Sequence, residues 1–169
     1  MEQNTQNKLE IKDRLVNFYN LNKIKIIIFF SILLLTLISI TYVNYNNARK
    51  NTLIGEKYIQ AGLYLASDKK ENAKALYEEI ILSKNKFYSI LALNSIVEKK
   101  LIEDNNKILE YFNFLEKSNS NKEIKDLIIF KKALYLIKFS DESFGQEIFK
   151  DLVEKNSTLK KIILELIEK

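Results

Sequence analysis

The chain has 169 residues and a net charge of +5, and it contains no cysteine and no histidine. These absences exclude a disulfide framework, a thiolate or imidazole metal site, and the usual general base and thiol nucleophile of enzymes. Acidic and basic residues are interspersed, which does not favour nucleic acid as a partner. We therefore expect a protein that is not an enzyme, with no catalytic, cofactor-binding or metal-binding residues and no small-molecule substrate.

The first segment, residues 1–22, is polar but carries apolar residues at helical spacing. The residues at positions i, i+4, i+7 and i+8 are Ile11, Leu15, Phe18 and Tyr19. This spacing places them on one face of a helix and predicts a short amphipathic segment. Its apolar face would lie on a lipid surface or bind a partner, and the sequence leaves both open.

The next segment, residues 23–45, is predicted to be a transmembrane anchor. It contains eighteen residues without a charge, from Ile26 to Val43, and a helix of that length measures about 27 Å, close to the roughly 30 Å hydrocarbon core of a bilayer. Tyr42 and Tyr45 lie where aromatic rings collect at the lipid boundary. A buried core helix would show a polar stripe or be shorter, and a cleaved secretory signal would be followed by a small-x-small cleavage site, which is absent here.

The orientation of this anchor follows from the basic residues on its two sides, because positively charged flanks resist translocation. Five lysine or arginine residues precede it and three follow it at a comparable distance. They are Lys8, Lys12, Arg14, Lys23 and Lys25 before it, and Arg49, Lys50 and Lys57 after it. The small excess predicts that residues 1–22 are cytoplasmic and that the C-terminal part lies outside.

Residues 46–169 are predicted to form an all-α domain. Proline is absent and glycine occurs three times, while apolar residues recur with helical period, so we expect seven helices arranged as antiparallel hairpins. Capping boxes are predicted at Asp68 to Glu71 and at Ser120 with Glu123, and Asp104 is predicted to cap a further helix. Phe87 is expected to face inward, together with Ile90, Leu93 and Val97.

An internal repeat indicates how these helices pack. Its spacing of small and aromatic residues is that of a tetratricopeptide repeat, in which small residues let two helices approach each other. The first copy comprises Ala61, Tyr64, Ala73, Tyr77 and Ile80, and the same offsets recur 72 residues later as Ala133, Leu136, Gly145, Phe149 and Leu152. A degraded copy lies between them as Ile96, Lys99, Ile108, Phe112 and Leu115. The alternative is an irregular helical bundle.

Almost the whole chain resembles a known family on these features, particularly the stretch from Gly55 to Leu63 leading into Ala73 to Ile80. It is similar to bacterial single-span membrane proteins with a tetratricopeptide-like domain, namely the ancillary subunit of the Sec translocon and its relatives, in the alphaproteobacterial form. The resemblance implies a protein of the bacterial inner membrane whose domain faces the periplasm and associates with the translocon and with membrane-anchored periplasmic chaperones. Some relatives of this domain are instead coordinators of cell division. Family members usually continue for another helix pair beyond the position of Lys169, and the middle repeat here lacks the small residues.

Two function classes remain open. The first is a periplasmic protein–protein interaction module whose concave surface is lined by the first helix of each hairpin. Its candidate partner-binding residues are Lys57, Gln60, Tyr64, Asn94 and Glu98, although each is also compatible with ordinary helix surface. The second is a structural or regulatory envelope protein that acts by self-association or through its inner segment. A groove lined with Tyr, Asn and Lys would favour the first class, and a flat aliphatic patch the second.

Overall fold

A computed structural model describes the backbone of residues 2–167, without the side chains of residues 2–11, Asp13 and Leu15. Within this range the chain forms α-helices and no strand, which confirms the predicted all-α class. The helices are α1 Glu2–Ala66, α2 Lys70–Leu82, α3 Tyr88–Glu98, α4 Asn105–Ser118, α5 Lys122–Phe139, α6 Glu142–Glu154 and α7 Lys160–Ile167. Of the predicted amphipathic face, Phe18 and Tyr19 are exposed, while the side chains of Ile11 and Leu15 lie outside the described residues.

The chain divides into two compact units, Met1–Lys50 and Asn51–Lys169. In the described part of the first unit, the apolar run of α1 is exposed from Ile27 to Val43, and none of it is buried inside the described chain. Its hydroxyl groups donate back to carbonyls of the same helix, as Thr36 does to Leu33 at 2.7 Å and Ser39 to Leu35 at 2.8 Å. Such internal satisfaction is what a lipid environment requires. This helix is long and apolar enough to cross a membrane.

The second unit has two hydrophobic clusters that follow the order of the chain. The larger one joins the last part of α1 to α2, α3, α4 and α5, and the smaller one joins α5, α6 and α7. Each helix from α2 to α7 packs against the next one along the chain, which fits the predicted stack of helical hairpins. The two hydrophobic clusters therefore follow each other along the chain, and α5 contributes to both of them.

The small residues of the predicted repeat lie at close helix contacts. Ala61 and Ala73 are fully buried in the larger cluster, and Ala133 is fully buried in the smaller one. At Gly145, an added Cβ atom would lie 2.6 Å from Cγ1 of Ile137 and 2.8 Å from the carbonyl oxygen of Ala133. Only glycine allows α6 to approach α5 this closely. In the middle copy the apolar members are buried and Lys99 is exposed.

The capping box predicted at Asp68 is wrong. Asp68 has a φ of 56° and ends α1, because its N–H donates to Leu65 and the N–H of Lys69 donates to Tyr64. This pair of hydrogen bonds is a Schellman motif, which requires a left-handed residue at the first position beyond the helix. The same arrangement ends α3 at Lys100 and α6 at Asn156. In this glycine-poor chain, Asp, Lys and Asn take the position that glycine usually fills.

The other predicted helix starts differ in their accuracy. Asp104 caps α4 as predicted, since its side chain accepts from the N–H groups of Asn106 and Lys107. The box predicted at Ser120 is wrong by one residue, because Asn121 caps α5 by accepting from the N–H of Ile124 at 3.0 Å. Asparagine is as good an N-cap as serine, and here it directly precedes the helix.

Phe87 was expected to face inward, and this prediction is wrong. Its side chain is 63% exposed, because α3 begins at Tyr88 and Phe87 belongs to the preceding turn. Tyr88 takes the inward position instead, with its ring 5.8 Å from that of Tyr58. Its hydroxyl fills the space beside Gly55, where an added Cβ atom would lie 2.8 Å from it. The start of α3 is thereby fixed against α1.

Candidate partner-binding grooves

A groove of about 880 Å³ lies in the second unit, between the last turns of α1 and the C-terminal half of α3. We call it the α1–α3 groove. Tyr58, Tyr77 and Ser95 form its polar and aromatic part, with the two tyrosine rings 5.6 Å apart and the Tyr58 and Ser95 hydroxyls 3.2 Å apart. The other residues that line it are Ile59, Gly62, Leu65, Ala66, Lys70, Glu98, Lys99, Lys100 and Leu101.

The groove is open because its α1 wall is recessed at Gly62. An added Cβ atom at Gly62 would meet no other atom within 4 Å, so the glycine leaves free space above the helix. Ile59, one turn earlier, is 65% exposed although it is a large apolar residue. The charged residues that line the groove are three lysines, Lys70, Lys99 and Lys100, and one acidic residue, Glu98. The groove therefore combines an apolar wall with a basic rim.

The Tyr77 phenol of the groove is a neutral hydrogen-bonding group. Burial raises the pKa of the Tyr77 phenol, and its hydrogen bond with Ser95 opposes that shift only in part. Tyr77 is 3% exposed and supports the groove from within the core. Protonated phenols beside a serine hydroxyl can both donate to and accept from a polar ligand group such as a peptide backbone.

A second, smaller groove of about 200 Å³ lies between α3 and α5. Glu98 lines this α3–α5 groove as well as the first one. Its apolar part includes Leu134 and Phe139, which are 38% and 40% exposed, and Lys138 Nζ stands 5.2 Å from the centre of the Phe139 ring. The remaining lining residues are Asn94, Val97, Phe112, Lys131 and Tyr135. The two grooves thus follow one another along α1, α3 and α5.

The five candidate residues from the sequence fall in different places. Lys57 forms an ion pair with Glu79 of α2, and Gln60 donates to the hydroxyl of Tyr64 at 3.3 Å. None of these three α1 residues lines either groove.

The two α3 candidates do lie on the grooves. Asn94 lines the second groove and Glu98 lines both. Sequence reasoning missed Ile59 and Gly62. Two features of the sequence could have indicated them. Ile59 is a large apolar residue outside the apolar positions of the repeat, and Gly62 is a glycine in the middle of a helix at a position where the repeat requires no glycine.

A polar cluster joins the second helices of the first two hairpins. Glu78 of α2 accepts from Lys107 Nζ at 2.5 Å and from the Tyr111 hydroxyl at 3.0 Å, both on α4. Burial alone would raise the pKa of the Glu78 carboxyl, but these two hydrogen bonds and the nearby positive charges together hold it below its usual value. The same ion pair raises the pKa of Lys107. The cluster therefore ties α2 to α4 while both charges are present.

We expect Glu78→Gln to destabilise the second unit by about 1 kcal/mol at neutral pH, because the amide cannot form the ion pair with Lys107. The pKa of Glu78 is lower in the folded state than in the unfolded state. Its contribution to the free energy of unfolding is therefore fully present above the unfolded-state pKa and is lost as the pH falls through the folded-state pKa. Urea unfolding at several pH values should show the difference between parent and variant shrink toward acid pH. Glu71→Gln is the control, since Glu71 is 85% exposed. A difference that stays constant with pH would contradict the assignment.

Comparison with known proteins gives no assignment, since no family of known proteins, no curated protein sequence and no solved structure matches the chain. Among the described residues, no group of three acidic side chains comes together in a way that could hold a metal ion.

Proposed function

We propose that the chain is a membrane-anchored protein–protein interaction module, not an enzyme, and that its α1–α3 groove holds a segment of a partner protein. The observation that carries this proposal is the composition of the groove: an apolar wall at Ile59 and Gly62, tyrosine and serine hydroxyls, and a lysine rim. Pockets of roughly 300–1,000 Å³ accommodate ligands of the size of several side chains. An apolar groove can take up apolar side chains of a bound segment, and adjacent hydroxyls can form hydrogen bonds with its backbone.

The apolar part of α1 would be the anchor, a single span in the bacterial inner membrane. Its exposed aliphatic surface and self-satisfied hydroxyls support a lipid environment. The excess of basic residues before it supports a cytoplasmic N-terminus and a periplasmic second unit. On the basis of the family resemblance, we propose two kinds of partner. They are the Sec translocon, for which the chain would be an accessory factor, and membrane-anchored periplasmic chaperones.

The alternative is a structural or regulatory envelope protein, of the cell-division coordinator type, that acts by self-association or through residues 1–22. One observation favours it. The last described helix, α7, leaves Ile162, Leu166 and Ile167 between 45% and 49% exposed. Such an aliphatic surface is typical of contacts between subunits. A concentration-dependent change in mass in detergent, lost in Ile162→Lys, would support this class.

Two lysine substitutions on α1 test the groove. Ile59 and Leu63 are 65% and 63% exposed, but only Ile59 lines the groove. Ile59→Lys should therefore weaken partner binding, raising Kd by at least about tenfold, because a charge enters an apolar contact. Leu63→Lys should leave Kd nearly unchanged. The measurement is crosslinking in native membranes from a photoreactive residue at Glu98, followed by identification of the crosslinked proteins. We expect translocon or chaperone components.

Three outcomes separate the function classes. Loss of crosslinks in Ile59→Lys but not in Leu63→Lys supports the groove. Equal crosslinking in both variants, combined with loss of partners when residues 1–22 are deleted, supports the inner segment as the working surface. Crosslinks only between copies of the chain support self-association. Helicity and melting of both lysine variants should match the parent, since neither position is buried.

A further inference from the structure

The turns of the second unit fall at two opposite ends, as antiparallel hairpins require. We call the end that contains Asn51, where the chain enters the unit, the entry end. The α2–α3 turn is fixed there, because Asn85 Nδ2 donates to Asn51 Oδ1 at 2.7 Å. The α4–α5 and α6–α7 turns share this end, since Lys84 Nζ lies 5.5 Å from the centre of the Phe114 ring and Lys122 Nζ donates to the carbonyl of Lys155 at 3.4 Å.

The other three turns form the far end. Asn105 at the start of α4 donates to the carbonyl of Phe139 at the end of α5, at 3.3 Å. Lys70 at the start of α2 and Leu101 after α3 line the same groove. The α1–α2, α3–α4 and α5–α6 turns are therefore neighbours, and the two ends can be compared as surfaces.

The two ends differ in charge. Each turn is taken here as its connecting residues with one helical residue on either side. The entry end then carries five lysines and one glutamate, a net charge of +4: Lys84, Lys86, Lys122, Glu154, Lys155 and Lys160. The far end carries four lysines and six acidic residues, a net charge of −2: Asp68, Lys69, Lys70, Glu98, Lys99, Lys100, Glu103, Asp104, Asp141 and Glu142. Lys155 is partly neutralised by Asp151 at 2.8 Å, and the entry end remains the basic one.

The α2–α3 turn also exposes large apolar side chains at this end. Leu82 is 56% and Phe87 is 63% exposed, on either side of the two lysines of the turn. The turn is held rigidly, because Asn85 Oδ1 accepts from the N–H groups of Phe87 and Tyr88 at 3.1 and 2.9 Å. The same amide group of Asn85 binds Asn51. Phe87 is therefore presented to the outside by a fixed scaffold and is not folded back into the core.

We propose that the entry end of the second unit rests on the anionic lipid surface of the membrane that holds the anchor, with Phe87 entering the headgroup region beside Lys84 and Lys86. This inference rests on the proposed membrane anchor. Asn51 is eight residues after Val43, the last residue of the apolar run, so even a fully extended chain keeps it within about 28 Å of the lipid. Arg49 and Lys50 precede it directly in the sequence.

The chemistry of this end fits a lipid surface. Aromatic rings such as that of Phe87 partition into the interface, and lysines near an anionic leaflet each add to the attraction. The contact would leave the α1–α3 groove, which opens toward the far end at Lys70 and Lys100, accessible to a partner. The two proposed surfaces therefore do not compete.

The experiment uses the full chain in vesicles that contain phosphatidylcholine brominated in its acyl chains. The chain has no tryptophan, so Phe87→Trp introduces a single tryptophan, whose emission can be excited selectively, at the proposed contact. In an equal mixture of phosphatidylcholine and phosphatidylglycerol, its emission should be quenched. Adding Lys84→Gln and Lys86→Gln should lower the contact equilibrium about 30-fold, and high salt should also reduce the quenching. Phe144→Trp, at the far end, is the control and should show little quenching.

Flotation of the same vesicles after alkaline extraction tests the anchor independently. If the chain floats and Phe87→Trp is quenched much more than Phe144→Trp, the lipid contact is supported. If the chain floats and both tryptophans are quenched equally, the lipid contact is overturned and the anchor is not. If the chain does not float, the anchor proposal and the lipid contact both fail. Quenching that is the same without phosphatidylglycerol would overturn the electrostatic part of the proposal.

Discussion

Gly145→Ala should lower the free energy of unfolding of the second unit by about 2–3 kcal/mol, although alanine is the better helix former. The added methyl group would lie 2.6 Å from Cγ1 of Ile137, 2.8 Å from the carbonyl oxygen of Ala133 and 3.0 Å from the amide nitrogen of Ile137. Two of these three atoms belong to the backbone of α5. A side-chain rotation therefore cannot relieve the overlap, and α6 must move away from α5. Urea unfolding followed by the near-ultraviolet circular dichroism of the tyrosines measures the effect.

Gly62→Ala is the matched control. It is also a helical glycine replaced by alanine, but no atom lies within 4 Å of the added Cβ. It should stabilise the unit by about 0.5–1 kcal/mol through the reduced entropy of the unfolded chain. Opposite signs for the two substitutions would establish the close contact of α5 and α6. If Gly145→Ala also stabilises, the helices are not as close as the structure shows.

The close contact at Gly145 was predictable because it depends on a local pattern. The spacing of Ala133, Gly145 and Phe149 repeats that of Ala61, Ala73 and Tyr77, and a small residue at a fixed offset has one purpose in a helical hairpin. All six of these residues are buried. The helical period of the apolar residues likewise determines where helices occur, since it records which face each helix buries.

The ends of the helices were harder to predict, because the same residue types serve two purposes. Asp68 precedes a helix and is followed three residues later by Glu71, which is the pattern of a capping box. It also follows a helix, and there its left-handed conformation ends α1. The local sequence is compatible both with the extended conformation of an N-cap residue and with the left-handed conformation that Asp68 adopts. That choice depends on how tightly α1 and α2 must turn to pack Ala61 and Ala73 together.

The sequence predicts partner-binding residues on α1 and α3, and the structure places the α3 candidates on the grooves and the α1 candidates beside them. Lys57, Gln60 and Tyr64 share one face of α1, whereas the groove is lined by the neighbouring face at Ile59 and Gly62. The rotation of a helix about its axis is set by its neighbours on both sides. For α1 these include Tyr88 beside Gly55 and Glu79 beside Lys57. Such contacts between distant parts of the chain leave no periodic signal in the sequence.

Ala73→Asp should have the largest effect of any single substitution considered, with a loss of about 4 kcal/mol or more at neutral pH. Ala73 is fully buried in the larger cluster, so the carboxylate would have neither water nor a cation beside it. Since domains of this size have total stabilities of about 5–15 kcal/mol, much of the unit should unfold. Ala75→Asp is the control, because Ala75 is exposed on the same helix and its replacement should cost only about 0.7 kcal/mol of helix propensity.

The pH dependence distinguishes burial of the new carboxyl group from a general loss of packing. A carboxyl group buried without a partner has a folded pKa above its unfolded value, so the folded state of Ala73→Asp binds the extra proton first. The stability of this variant relative to the parent should therefore improve as the pH falls from neutral through that raised pKa. Ala75→Asp should show no such recovery. If Ala73→Asp unfolds at the same urea concentration as Ala75→Asp at neutral pH, Ala73 is not buried between α1 and α2 and the predicted spacing of the first repeat is wrong.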